Sequence, residues 1–148
     1  MRAMHKRLYP RRGFTLLELM VVLFILATLA GVVTVVVVKR VEQAKHVKAV
    51  ADIESFKNAL ATFYLHNGRY PYTEEGLNAL RVKPQSEELP NWDGPYIEKA
   101  VSPDPWKQDY HYLTPGDHNP DSFDLYSLGK DGLEGGTGSD ADIVNWDE

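Results

Sequence analysis

Three aspartates and several glycines near the carboxyl terminus are the residues best suited to bind a metal ion. Asp131, Asp140 and Asp142 lie in residues 129–142, which also contain five glycines. Calcium binds roughly six to eight oxygens from carboxylates and backbone carbonyls, and glycines let a backbone turn its carbonyls inward. The D-x-[DN]-x-[DN]-G spacing of an EF-hand is missing. Composition alone leaves two interpretations open, a calcium-binding loop or a solvated acidic loop.

Groups suited to catalysis are sparse. The chain has no cysteine, which excludes thiol catalysis, thiolate metal sites and disulfides. Its five histidines are scattered, and none shows metal-ligand spacing or a Ser-His-Asp arrangement. No Walker-type glycine loop is present. We therefore expect no catalytic residue and no enzyme activity, because an anchored hydrolase would need a His or Asp cluster that the sequence lacks.

One carboxylate interrupts the apolar stretch near the amino terminus. Residues 14–38 contain a single ionisable side chain, Glu18, and a membrane-spanning helix needs about 20 apolar residues. A charge inside a bilayer costs at least about 2.5–3.5 kcal/mol and so indicates a function. A Sec signal peptide does not fit, because the run is too long and lacks a small-x-small cleavage site. A plain membrane anchor leaves Glu18 unexplained.

A long helix and a small sheet are the elements that would position these residues. Residues 39–65 lack proline and glycine, so the helix is predicted to continue to Asn67-Gly68. An apolar stripe on this half of the helix is predicted to pack in the core of the domain; it is formed by Val47, Val50, Ile53, Leu60 and Phe63. Residues 74–81 predict a short helix capped by Thr73, with Leu77 and Leu80 in the core. Residues 110–113 and 123–127 predict two antiparallel strands. The fold class is therefore α+β.

The charge balance argues against nucleic acid as a partner. The chain has 16 Lys and Arg against 21 Asp and Glu, and five of the bases precede residue 14. Without that basic segment, 11 bases face 21 acids, a net charge near −10. We expect no nucleic-acid binding, because an acidic domain lacks the basic patch that phosphates require.

The segment Arg11-Arg12-Gly13-Phe14-Thr15-Leu16-Leu17-Glu18 resembles the signal of type IV pilins and pseudopilins. The resemblance implies that a prepilin peptidase cuts after Gly13, removes residues 1–13 as a leader and methylates the amine of Phe14. Residues 14–38 would form the transmembrane and filament-core half of the helix, and residues 39–148 a periplasmic domain. Glu18 would pair with the terminal amine of a neighbouring subunit, which offsets its cost in lipid and favours assembly. The proline that the family often carries in this helix is absent.

Later motifs resemble the major pseudopilin family of type II secretion systems. They are Tyr70-Pro71-x-Thr73-Glu74-x-Gly76-Leu77-x-Ala79-Leu80, Asp104-Pro105-Trp106-x-x-Asp109-Tyr110, Ser127-x-Gly129-x-Asp131-Gly132 and Asp142-Ile143-x-Asn145-Trp146. The resemblance implies a type IV pilin-like fold, with a long helix on a small antiparallel sheet and a C-terminal loop stapled by one calcium ion.

The same resemblance implies a set of calcium ligands. Asp131 and Asp142 would supply carboxylates, and Leu128 and Leu133 would supply backbone carbonyls. The family usually has adjacent acids before the Ile, whereas this chain has Asp140-Ala141-Asp142 and a loop about three residues longer. Asp140 is therefore a further candidate ligand.

The expected function is that of a structural subunit of the type II secretion pseudopilus. It would be a single-pass inner-membrane protein that polymerises with its own copies in the periplasm and helps to export folded proteins across the outer membrane. Its partners would be minor pseudopilins, the inner-membrane assembly platform, the prepilin peptidase and, indirectly, the outer-membrane secretin. Two alternatives are a type IV pilus subunit and a membrane-anchored calcium-binding module that does not polymerise.

Overall fold

The structure, a computed structural model, describes residues 13–85 and 89–146, without the side chains of residues 31–36. Its longest element is helix α1, Leu16–Asn67, of 52 residues. The chain divides into two compact units, one up to Lys39 and the other from Arg40 onward. Within the described part of the chain, no helix is both long and apolar enough to cross a membrane. The predicted leader lies outside the described residues, apart from Gly13.

Helix α1 ends where the sequence predicts. Gly68 adopts φ +73°, and its N–H donates to the Tyr64 carbonyl at 2.8 Å. A residue in this left-handed conformation turns the chain out of a helix, and glycine does so without steric strain. The predicted boundary at Asn67-Gly68 is therefore confirmed.

The buried face of α1 differs from the prediction at two positions. Ile53, Leu60 and Phe63 are buried as expected, and Ala49, Phe56 and Ala59 join them. Val47 and Val50 are instead 61% and 39% exposed, so placing them in the core was wrong. Val47 precedes Ile53 by six residues, about 120° around the helix, whereas Ala49 lies on the same side as Ile53. The small Ala49 therefore faces the domain and the larger valine does not.

The short helix after α1 is smaller than expected. A 3-10 helix, Leu77–Leu80, replaces the predicted helix over residues 74–81, and both of its leucines are buried as predicted. Thr73 is not its cap, because its Oγ1 exchanges hydrogen bonds with the backbone of Thr114. The Glu75 carboxylate instead accepts the Tyr72 N–H at 2.8 Å, and the chain turns there.

Three antiparallel strands form one sheet in the order β1-β2-β3. The first two, β1 His111–Leu113 and β2 Asp124–Ser127, confirm the predicted pair. The third, β3 Ile143–Val144, was not predicted, since two residues show no alternation. Ser127 pairs with Ile143 and Tyr126 with Val144, so β2 and β3 form a hairpin. Residues 128–142, the candidate metal loop, are the connection of that hairpin.

Candidate metal loop and the carboxylate at the helix start

Both ends of the candidate metal loop are fixed to the domain. At its start, the Ser127–Ile143 pair closes the β2-β3 hairpin. Beyond its end, the Asn145 amide accepts the Leu125 N–H at 2.8 Å and donates to the Phe123 carbonyl at 2.9 Å. The Trp146 ring stacks on His118 with centroids 4.0 Å apart. The loop therefore leaves and re-enters the sheet at defined positions.

Close backbone contacts explain the glycine at the start of the loop. Gly129 has φ +66°, and a Cβ placed on it would lie 2.7 Å from the Ala141 carbonyl oxygen. Such a distance is too short for any side chain, so only glycine lets the two ends of the loop approach this closely. The structure thus brings residue 129 against residue 141, beside the candidate ligands.

The predicted ligands lie on this loop in different environments. Asp131 is exposed, and its Oδ1 accepts the Leu133 N–H at 3.1 Å. Asp140 ends a short 3-10 helix, Gly138–Asp140, and its N–H donates to the Thr137 carbonyl. Asp142 is half-buried, and its Oδ2 accepts the Gly135 N–H at 2.9 Å. Leu128 is half-buried, whereas the Leu133 side chain is 67% exposed.

The fit of these residues to a cation depends on Asp142. Its Oδ1 is buried and has no hydrogen-bond partner within the described structure. A buried carboxylate oxygen without a donor is costly, and a cation would relieve that cost. Over residues 13–85 and 89–146, no group of three or more His, Asp or Glu side chains is gathered for a metal. The loop therefore fits a site of few carboxylates completed by backbone carbonyls, not a three-acid cluster.

Several carboxylates give the surroundings of the loop a negative charge. Burial raises the pKa of Tyr126 above its ordinary value, and the carboxylates of Glu134, Asp124, Asp142 and Asp117 raise it further. Negative charges that disfavour a tyrosinate favour a bound cation. Tyr126, Glu134 and Asp142 also line one cavity of about 280 Å³ together with His118 and Trp146.

A turn at residues 104–108 supports the loop through hydrogen bonds that sequence reasoning missed. Asp104 is 4% exposed, and its Oδ1 accepts the N–H groups of Trp106 and Gln108, each at 2.9 Å. Its Oδ2 accepts the Ser127 hydroxyl at 2.5 Å. Asp104 and Ser127 are 23 positions apart, so no local sequence pattern predicts their hydrogen bond.

The same turn also contacts α1. The Trp106 indole N–H donates to Glu42 Oε2 at 3.0 Å, and Lys45 pairs with the other oxygen at 3.2 Å. The Trp106 hydrogen bond is the main reason why the pKa of Glu42 lies below its ordinary value. The Trp106 side chain is thus a polar link between the turn and the helix.

The candidate assembly residue, Glu18, lies in the first turn of α1. Its Oε2 accepts the Thr15 N–H at 2.9 Å and the Thr15 hydroxyl at 3.1 Å. The Glu18 N–H donates in turn to Thr15 Oγ1 at 3.2 Å. This reciprocal arrangement is a capping box, which the Thr-x-x-Glu spacing could have predicted. Gly13 and Phe14 precede it, and the Phe14 side chain is 92% exposed.

Comparison with known proteins gives two family matches along the chain. Residues 36–146 match the family described as type II secretion system protein G, and residues 9–34 match the prokaryotic N-terminal methylation motif. Together the two matches extend over most of the sequence.

Curated relatives agree with the family match. The type II secretion system core protein G of Vibrio cholerae is 46% identical over 142 residues, which are 95% of each chain. That of Pseudomonas aeruginosa is 48% identical over 136 residues, 91% of this chain and 94% of the relative. Among solved structures, the major pseudopilin from the type 2 secretion system of enterohaemorrhagic Escherichia coli is 36% identical. It matches with a TM-score of 0.57 over 70% of this chain and 88% of its own.

Proposed function

The chain belongs to the type II secretion system protein G family, and we propose how its residues are processed, anchored and assembled. It is a subunit of the type II secretion pseudopilus and assembles there with other components of the system. The match over nearly the full length of its relatives carries this assignment. This assignment replaces the alternative of a type IV pilus subunit.

The proposed processing removes residues 1–13. A prepilin peptidase cuts after Gly13 and methylates the new amine of Phe14, and the match to the methylation motif over residues 9–34 supports this step. Residues 14–38 then anchor the chain in the inner membrane, with residues 39–148 in the periplasm. In support, large apolar side chains of this segment are exposed, as Phe14 and Leu16 are at 92% and 77%. Lipid or neighbouring helices would cover them.

The proposed role of Glu18 is to pair with the methylated amine of Phe14 on a neighbouring copy. The capping box supports this role, because Thr15 holds the carboxylate in one position at the start of α1. A carboxylate that is costly in lipid and relieved by a cation favours the assembled state. The assembly is a homopolymer that also contacts minor pseudopilins, the inner-membrane platform and, indirectly, the outer-membrane secretin. An anchored module that does not polymerise would need no such pairing.

We further propose that the loop binds one calcium ion. Asp131 and Asp142 would supply carboxylate oxygens, and Leu128 and Leu133 would supply carbonyl oxygens. Asp140 is a further candidate ligand. The buried, unpartnered Oδ1 of Asp142 and the negative charge beside Tyr126 support a cation here. A bound calcium ion links the residues after β2 to those before β3, as a disulfide would in a chain with cysteines.

Two substitutions in the capping box separate the charge of Glu18 from its helix-capping role. Glu18→Gln removes the charge, and its amide oxygen still accepts the Thr15 N–H. Thr15→Ala removes the hydroxyl and leaves the charge. In cells that lack the wild-type chain, we expect Glu18→Gln to abolish export of a secreted enzyme and cross-linking between subunits. Thr15→Ala should retain both.

The outcomes of this experiment are distinct. Full secretion with Glu18→Gln would contradict the proposed pairing. Loss of secretion with both variants would show that secretion needs the Thr15 hydroxyl as well as the charge of Glu18. Mass spectrometry of the assembled protein tests the processing in parallel, with a methylated chain beginning at Phe14 as the expected species. An unprocessed chain in the pseudopilus would contradict the cleavage site.

A further inference from the structure

The residues that hold the first part of the candidate metal loop lie outside that loop. Ser127 and Gln108 both contact Gly129, which follows the candidate ligand Leu128. The Gly129 N–H donates to Ser127 Oγ at 3.2 Å, and the Gly129 carbonyl accepts Gln108 Nε2 at 3.2 Å. Both polar groups of Gly129 are therefore bonded to side chains.

These bonds act on two successive peptide planes. The Gly129 N–H and the Leu128 carbonyl belong to one planar peptide unit, so fixing the N–H fixes the direction of the carbonyl. The Gly129 carbonyl belongs to the next unit, together with the Lys130 N–H, which donates to the Ser139 carbonyl at 3.3 Å. Neither plane can rotate without breaking a hydrogen bond.

Gln108 and Ser127 are themselves held by Asp104. The Gln108 N–H donates to Asp104 Oδ1, and the Gln108 carbonyl accepts the Asp104 N–H at 2.7 Å. Ser127 is fully buried, and its hydroxyl donates to Asp104 Oδ2. One buried carboxylate thus fixes both residues whose side chains are hydrogen-bonded to Gly129.

The Gln108 side chain also lies against Gly132. A Cβ placed on Gly132 would be 2.6 Å from Gln108 Oε1. The amide therefore contacts Gly129 and Gly132, the residues on either side of the Lys130-Asp131 pair. Hydrogen bonds from outside the ligand set that orient metal ligands commonly raise metal affinity.

We infer that Gln108 and Ser127 are positioning residues that set the Leu128 carbonyl and Asp131 for calcium before the ion binds. This inference rests on the calcium site proposed above. It assigns to the turn at residues 104–108 a part in metal affinity, beyond its part in folding.

Calcium titration of the full chain in detergent micelles tests the inference. The variant is Gln108→Met, which keeps the length of the side chain and its contact with Gly132 but loses the Nε2 donor. Isothermal titration with Ca²⁺ alone should show a dissociation constant about tenfold weaker than that of the wild type. The unfolding midpoint in chelator should change little, because Gln108 is only half-buried.

Asn67→Ala is the matched control. Its Nδ2 donates to the Phe63 carbonyl at 2.9 Å at the end of α1, so the change also removes a bond from a side-chain amide to the backbone. We expect a lower midpoint in chelator and an unchanged calcium dissociation constant. Ser127→Ala should weaken calcium binding, and Ser127→Thr, which restores a hydroxyl, should recover it.

The results separate the proposed calcium site from the inference about Gln108 and Ser127. A wild-type chain that shows no calcium binding would overturn the proposed metal site and this inference with it. A wild-type chain that binds calcium while Gln108→Met binds with the same affinity would overturn the inference alone. The same holds if Gln108→Met lowers only the midpoint in chelator, since that is the signature of a structural role.

Discussion

Asp104 accepts hydrogen bonds from three uncharged donors and is almost fully buried. A hydrogen bond to a charged group contributes more than one between neutral groups, roughly 1.5–3 kcal/mol. Because the donors come from the turn itself and from β2, one carboxylate joins two segments that are distant in sequence. At the scale of single residues, the domain is thus held by carboxylates bonded to backbone and hydroxyl groups.

Glu75 is a second such carboxylate, and its stability contribution depends on pH. It forms a two-point pair with Arg69 at 2.8 and 3.0 Å and accepts the Tyr72 N–H. The Arg69 hydrogen bonds are the main cause that lowers the pKa of Glu75 in the folded chain. The contribution is therefore complete above the unfolded pKa of about 4.3 and is lost as the pH falls through the folded pKa.

Glu75→Gln should lower the unfolding free energy by about 1–2 kcal/mol at pH 7. The difference from wild type should be smaller at a pH below the folded pKa of Glu75, because the wild-type carboxylate is protonated there. Urea unfolding of the detergent-solubilised chain at both pH values measures it. Glu74→Gln, a change of the exposed neighbour, should stay within about 0.5 kcal/mol at pH 7. An equal deficit for Glu75→Gln at both pH values would contradict the assignment.

Local spacing predicts residue roles only where the partners are close in sequence. The capping box of Thr15 and Glu18 follows from a spacing of three and was open to prediction. The Asp104–Ser127 and Trp106–Glu42 bonds span 23 and 64 positions. The packing of the chain brings such distant partners together, and no local pattern in a single sequence predicts that packing.

At the scale of elements, the sequence predicted α1 well because its signals extend over many residues. A long run without proline or glycine and a glycine at the end fix both its length and its stop. The strands β1 and β2 were predictable from their aromatic and branched residues between turn residues. The two-residue β3 was not, because its pairing with Ser127 and Tyr126 comes only from the closed hairpin.

Gly68→Ala tests what ends α1. Gly68 has φ +73°, and no heavy atom lies within 4 Å of a Cβ built on it, so the cost is one of backbone conformation alone. We expect a loss of about 1 kcal/mol in the unfolding free energy, measured by urea unfolding. Gly68→Asn should lose less, since asparagine tolerates this conformation better than alanine. Equal stability of Gly68→Ala and wild type would show that the chain leaves the helix differently.

At the scale of the whole molecule, the two units have opposite surface character. The described side chains of residues 14–30 include many large apolar groups that are about half exposed or more, among them Leu17 and Phe24 at 71% each. The second unit has a buried core of helix, 3-10 and strand residues and an acidic carboxyl-terminal loop. The proposed anchoring and assembly would use both, with lipid or other helices covering the apolar helix and the compact domain staying in water.

The stability of that domain should depend on calcium if the loop is its staple. A ligand that binds only the folded state stabilises it by RT ln(1+[L]/Kd), about 4 kcal/mol at a thousandfold excess over Kd. We therefore expect the melting temperature of the detergent-solubilised chain to be clearly higher in calcium than in chelator. Asp142 is the decisive residue, because its buried Oδ1 lacks a donor in the described structure.

Asp142→Asn should remove most of the calcium-dependent rise and leave the melting temperature in chelator close to that of wild type. The reason is that the amide oxygen still accepts the Gly135 N–H, while the negative charge that binds the cation is lost. Asp121→Asn, an exposed aspartate before β2, is the control and should retain the full rise. An equal rise in all three proteins would place the calcium elsewhere. A wild-type chain that melts alike in calcium and chelator would return the loop to a solvated acidic segment held by its hydrogen bonds alone.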